Sequence, residues 1–160
     1  MRKLTLRTLI ALPLLSFTFA GFTLAADTTP MAIESAKFDD FAAGKKAISA
    51  SNWTMAVDSF KKAVAENPKN ADAHNLLGYS YRMLGKFDDS FAAYDKALAL
   101  DPKHKGALNY SGMGYLKTNQ KAKAEAQLAK LKVICPSCSE TTSLAKAVAD
   151  FKPDVVTSTY

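Results

Sequence analysis

The chain has 160 residues, 48% of them hydrophobic and 22% charged, and a formal net charge of +6. Arg2, Lys3 and Arg7 carry half of that charge with no acid before Asp27, so the remainder stands at about +3, too mild to point to nucleic acid. Beyond residue 26 there is enough chain for one domain with one continuous core.

The three N-terminal bases precede an apolar run from Leu9 to Phe22, and Thr23-Leu24-Ala25-Ala26 then offers small residues for cleavage after Ala25 or Ala26. Residues 1–26 read as a signal peptide, and the expected destination is export from a bacterial cytoplasm to the periplasm. An uncleaved membrane anchor competes with this reading. The run is short for a span and contains Pro13, so no stable membrane insertion is expected once the leader is removed. No Cys follows the run, which leaves lipid attachment unsupported. Residues 27–36, with Thr, Pro and no periodicity, read as a flexible lead-in.

Helical spacing of apolar residues takes over next. The first helix is predicted from near Ile33 to Ala50, and the next five over 54–66, 71–84, 87–100, 105–118 and 121–134. Ser51-Asn52, Gly85 and Asn119 mark the turn inside each pair, Asn being tolerant of left-handed backbone. Leu144, Val148 and Phe151 then recur at helical intervals, so a seventh helix is expected over 139–151. Ser137 and Glu140 stand at capping-box spacing before it. Pro153 ends it, and 153–160 reads as a tail.

A period runs through these helices. Gly44, Gly78 and Gly112 stand 34 residues apart, as do Pro68, Pro102 and Pro136. Ala56, Ser90 and Ala124 keep the spacing and are small; Phe60, Tyr94 and Leu128 keep it and are large. Such a period means stacked helix pairs, none of which buries its apolar face alone. Each Pro lacks an N–H and stops the second helix of its pair.

The pattern resembles the tetratricopeptide repeat. The second unit, 71–104, fits best through Leu77, Gly78, Tyr81, Gly85, Phe87, Tyr94, Ala97 and Pro102. The first, 37–70, carries Gly44, Trp53, Ala56, Phe60, Ala63 and Pro68. The third, 105–138, is degraded: Lys121 stands where Trp53 and Phe87 stand, and Leu131 replaces the small Ala63 and Ala97. The expected fold is all-α, a right-handed superhelical stack of three helix pairs over 37–152, closed by a capping helix at 139–151.

The resemblance implies a concave inner wall built by the first helix of each unit. Position by position this gives Phe38, Phe41, Lys45 and Ile48, then Asp72, Asn75, Tyr79, Arg82 and Met83, then Asn109, Met113, Leu116 and Lys117. Aromatics, Met, Asn and Arg form a binding mixture. Asn75 and Asn109 suit a peptide backbone; Arg82 and Lys117 suit a carboxylate. The alternative for Phe38, Phe41 and Ile48 is packing inside unit one or beneath the N-terminal lead-in. Some family members clamp a chaperone's terminal carboxylate, but the matching places here hold Phe41, Lys45, Leu76, Gly106 and Tyr110, and only Lys45 has suitable chemistry. The implied role is a non-enzymatic adaptor for a protein or peptide segment, and the exposed ends of a short array leave self-association open.

Both cysteines lie in Cys135-Pro136-Ser137-Cys138. In an exported protein such a pair is expected to form a disulfide. Thiol exchange is an alternative, because Cys138 falls at a predicted helix start. Metal binding is another, since two thiolates are half of a tetrahedral site and His104 lies one repeat earlier. A thiol-redox or metal-handling factor is therefore the competing function. His74 is expected in the core or groove lining. Catalytic chemistry is otherwise hard to find. The pairs Asp39-Asp40 and Asp88-Asp89 read as solvated surface, no nucleophile motif occurs, and Gly112-Met113-Gly114 lies in a helical pattern rather than after a strand. No cofactor is expected.

Overall fold

The computed structural model describes residues 39–153. The leader, the lead-in, Phe38 and residues 154–160 lie outside them. Among the described residues there are seven α-helices and no strand: α1 Asp40–Ser49, α2 Trp53–Glu66, α3 Ala71–Met83, α4 Phe87–Leu100, α5 Lys105–Lys117, α6 Lys121–Ile134 and α7 Ser139–Asp150. No helix among them is long and apolar enough to cross a membrane.

The helices pair as α1·α2, α3·α4 and α5·α6, and each pair leans on the next through α2·α3 and α4·α5. The first helices also touch along the inner side, α1 with α3 and α3 with α5, while α7 closes the end against α5 and α6. This is the expected right-handed superhelical stack.

The three prolines occupy equivalent corners. Each follows a helix C-cap, namely Asn67, Asp101 and Cys135. The N–H groups of those caps donate to the carbonyls of Ala63, Ala97 and Leu131 at 2.9, 2.8 and 2.8 Å. Three residues on, Asn70, His104 and Cys138 become the N-caps of α3, α5 and α7. The turns inside the pairs repeat as strictly. Ser51, Gly85 and Asn119 have φ of 53°, 72° and 58°, the left-handed conformation that lets a helix end in a tight reversal.

The core is carried from unit to unit. Ala47, Ala56, Val57, Phe60, Leu77 and Ala93 form its first part, Tyr94, Ala97 and Ala107 its middle, and Leu108, Leu128, Leu131 and Leu144 its end. A Cβ added at Gly44 would lie 2.6 Å from the Phe60 ring, and one at Gly78 would lie 2.7 Å from the Tyr94 ring. The glycines thus admit the large residue of their partner helix. Gly112 departs from that pattern: an added Cβ would meet Leu144 of α7 at 2.5 Å.

Two expectations are corrected here. Asp40 is buried, only 8% exposed, not solvated. Asp39 takes the capping position, accepting from the Ala42 N–H at 3.0 Å, so Asp40 falls on the buried stripe with Gly44 and Ala47. The capping box before α7 does not form. Cys138 is the N-cap, no side chain caps the helix, and the Ser139 hydroxyl donates to Glu140 at 3.1 Å.

Candidate functional site

The inner wall is built by α3 and α5, flanked by α1 and α7. At its centre the Tyr79 and Tyr110 rings lie 4.9 Å apart, and Trp53 meets Tyr79 edge-on at 5.7 Å. The Arg82 guanidinium stands over both tyrosines, 5.2 Å from Tyr79 and 5.9 Å from Tyr110, a cation–π arrangement that fixes its direction. Below it, burial pushes the Tyr94 phenol up to about 12, against the opposing charge of Arg82.

Asn75 and Asn109 occupy the same place one repeat apart and are buried, 5% and 8% exposed. Neither side-chain oxygen has a hydrogen-bond partner among the described residues. Asp40, Tyr94 and Gln127 also carry a buried side-chain oxygen with no partner among the described residues, so the two asparagines are not set apart by this.

Arg82, Met113, Leu116 and Lys117 come together around a cleft of about 330 Å³. Its other wall is Ala147, Asp150, Phe151 and Lys152, which sequence reasoning missed. The signal was present: α7 begins one period after Lys105, so Ala147, Asp150 and Phe151 repeat the places of Met113, Leu116 and Lys117. The cap is the first helix of a fourth unit.

The other expected residues are placed differently. Lys45 is exposed in unit one, its Nζ 4.8 Å from the Phe41 ring. Phe41 and Ile48 pack against the core, Phe41 meeting Phe60 edge-on at 5.8 Å. Asp72 is drawn to the corner edge, where its carboxylate accepts from His104 Nε2 at 3.0 Å. The other ring nitrogen of His104 accepts from the Ala107 N–H at 3.1 Å, so both are engaged and neither is directed at the cysteines. His74 is half-buried, and its Nε2 bonds the Pro68 carbonyl at 3.0 Å, which ties α3 to its own corner.

Cys135 and Cys138 stand side by side at the last corner and are unbridged in this structure. Cys138 Sγ turns instead to the Cys135 carbonyl at 3.1 Å and to Thr141 Oγ1 at 3.4 Å. Partial desolvation works against ionisation of Cys138, yet hydrogen bonds from the Cys135 thiol and from Thr141 outweigh it and hold Cys138 below the ordinary thiol range. The bond it gives to Cys138 holds Cys135 above that range.

A stack of helix pairs in which each pair leans on the next is a helical repeat protein. The tetratricopeptide repeat family model matches residues 41–105 and 81–137, more than half of the chain, and the protein belongs to that family. Solved structures share the fold. The TPR domain of Arabidopsis OM64 is 20% identical, with 69% of this chain and 91% of that one covered and a TM-score of 0.65. The TPR2B domain of yeast Sti1, solved as a complex with pHsp70, is 19% identical, with coverage of 71% and 95% and a TM-score of 0.64. The Yersinia enterocolitica type III secretion chaperone SycD, solved with a peptide of the translocator YopD, is 15% identical, with coverage of 70% and 86% and a TM-score of 0.62. No curated protein sequence matches the chain.

Proposed function

We propose that the protein is a non-enzymatic adaptor that holds an extended segment of another protein along the inner wall of α3 and α5, and that it works after export to the periplasm. The observation that carries this reading is the Tyr79–Arg82–Tyr110 cluster on the inner wall, where two half-buried rings hold a guanidinium over them. Aromatic faces and a guanidinium suit a peptide's side chains and carbonyls without demanding one particular sequence. The pHsp70 complex of the Sti1 domain and the YopD-peptide complex of SycD support the reading, because they place a partner on the same fold.

The test is capture of partners from the native compartment by the wild type and by Asn75→Ala, Tyr79→Ala and Asn109→Ala variants. Capture is expected to fall while helicity stays. Undiminished capture by all three variants refutes the inner wall as the site.

Thiol exchange is the second reading, favoured by the contact between two free thiols of unequal acidity. A disulfide that resists every physiological thiol, or a pair that never oxidises, argues against it.

A further inference from the structure

We propose that the outer face of α1 is the interface of a two-fold dimer, in which α1 of a second copy lies antiparallel against it. The internal repeat shows why this face is unfinished. On α5, three places meet the second helix of the unit before. Ala107 packs with Tyr94 and Ala97, Tyr115 stacks on Phe91 at 4.4 Å, and a Cβ on Gly114 would lie 3.0 Å from the Phe91 ring. On α3, Leu77 and Tyr81 pack with Val57 and Phe60 of α2. One or two periods back, the same places at α1 are Asp39, Ala43, Lys46 and Ala47. No helix precedes α1 among the described residues. A groove of about 440 Å³ opens there instead, lined by those four residues with Ala50 and Met55. Met55 is 51% exposed, whereas the later units hold Asp89 and Lys123 in its place. The groove is thus the seat of a packing helix, with an apolar side chain at its lip.

The charges on this face select a second copy as the occupant. Asp39 and Lys46 are two helical turns apart, about 10 Å along the axis, too far to pair with each other. Neither has an ion-pair partner among the described residues. Asp39 caps α1 through one carboxylate oxygen and has a second to offer. A two-fold axis between Ala42 and Ala43 sets Asp39 of each copy against Lys46 of the other, so one self-complementary contact pairs all four charges. Across the axis Ala42 faces Ala43, and side chains that small let two helices approach to about 8 Å. The contact also covers Met55, whose flexible thioether fits an irregular gap. This inference goes beyond the adaptor reading: it uses the outer face of unit one and leaves the inner wall of α3 and α5 open.

The experiment is sedimentation equilibrium of the full chain, wild type and charge-reversed. The wild type is expected to dimerise at micromolar concentration, and less tightly as salt rises. Lys46→Glu and Asp39→Lys should each weaken the dimer about 10-fold or more, because either change sets like charges against each other at both ends of the contact. An equimolar mixture of the two variants should recover the affinity as a heterodimer, since every reversed charge then faces its opposite. Misfolding cannot produce that recovery, which guards against the cap that Asp39→Lys removes. Met55→Ser should weaken the dimer about 10-fold, and Lys130→Gln, exposed on α6, should leave it unchanged. A wild type that stays monomeric, a dimer indifferent to these substitutions, or a mixture no tighter than its components overturns the proposal. A dimer that forms only when residues 27–36 are deleted overturns it in favour of the chain's own lead-in. A monomer that loses capture of another protein on Lys46→Glu overturns it in favour of a foreign partner. Dimerisation is read without any captured segment, so its failure leaves the adaptor reading standing, and the reverse holds as well.

Discussion

Leu144→Ala tests how the stack is closed. Leu144 is fully buried against Leu108, Leu128 and Leu131, and its two methyl carbons stand 2.5 and 2.8 Å from where a Cβ on Gly112 would be. Truncating a buried Leu to Ala costs about 2–5 kcal/mol, and more when the walls cannot relax inward. The wall opposite is a glycine with nothing to move into the gap, so the cost should lie in the upper half, about 3–5 kcal/mol. Gly112→Ala alone drives a methyl into Leu144, an overpacking worth about 1–3 kcal/mol, offset by about 1 kcal/mol of better helix propensity. In the double variant the new methyl enters the space Leu144 vacated, so the two effects should fall short of their sum by about 1–3 kcal/mol. Urea unfolding followed by circular dichroism measures all four corners of the cycle. Additivity within about 0.5 kcal/mol would mean that the two residues do not share that space, and that α7 is not the lid on unit three.

Ser51→Gly should stabilise the protein by about 1 kcal/mol, because Ser51 holds a left-handed backbone, φ 53°, that glycine adopts without strain; a lowered melting temperature would contradict this. Tyr94 is raised from 10.0 to about 12, so the folded state favours the protonated phenol. Its contribution is complete below pH 10 and is lost as pH rises towards 12, which denaturant titrations at increasing pH should report as falling stability absent in Tyr94→Phe. With the pair reduced, iodoacetamide should modify Cys138 before Cys135, since the thiolate is the nucleophile; peptide mapping that finds the reverse order refutes the contact geometry.

Most of the architecture was legible because it repeats. The helix ends fall within a residue or two of expectation wherever Pro, Gly or Asn marks them, since those residues act through their own backbone. The inner wall was legible as far as Asn75, Tyr79, Arg82 and Asn109, which the same spacing places on successive first helices. What escaped the reading depends on neighbours far along the chain. Gly112 has the spacing of Gly44 and Gly78, yet its contact is Leu144. Asp40 reads as surface until Asp39 takes the cap and leaves it on the buried stripe. His104 suits a metal until Asp72, 32 residues away, and the Ala107 N–H occupy both nitrogens. The Cys pair drew attention as a motif, whereas its two places are the corner positions held by Asn67 and Asn70 and by Asp101 and His104 in the other units.

Site-specific photo-crosslinking in the living cell addresses the adaptor role most directly. A photoreactive residue placed at Lys117, exposed on the first helix α5, is predicted to yield a discrete adduct with a partner protein. The same residue at Lys61, Lys96 or Lys130, exposed on second helices, is predicted to yield none. Adducts confined to the second helices, with the first helices silent, would contradict the account.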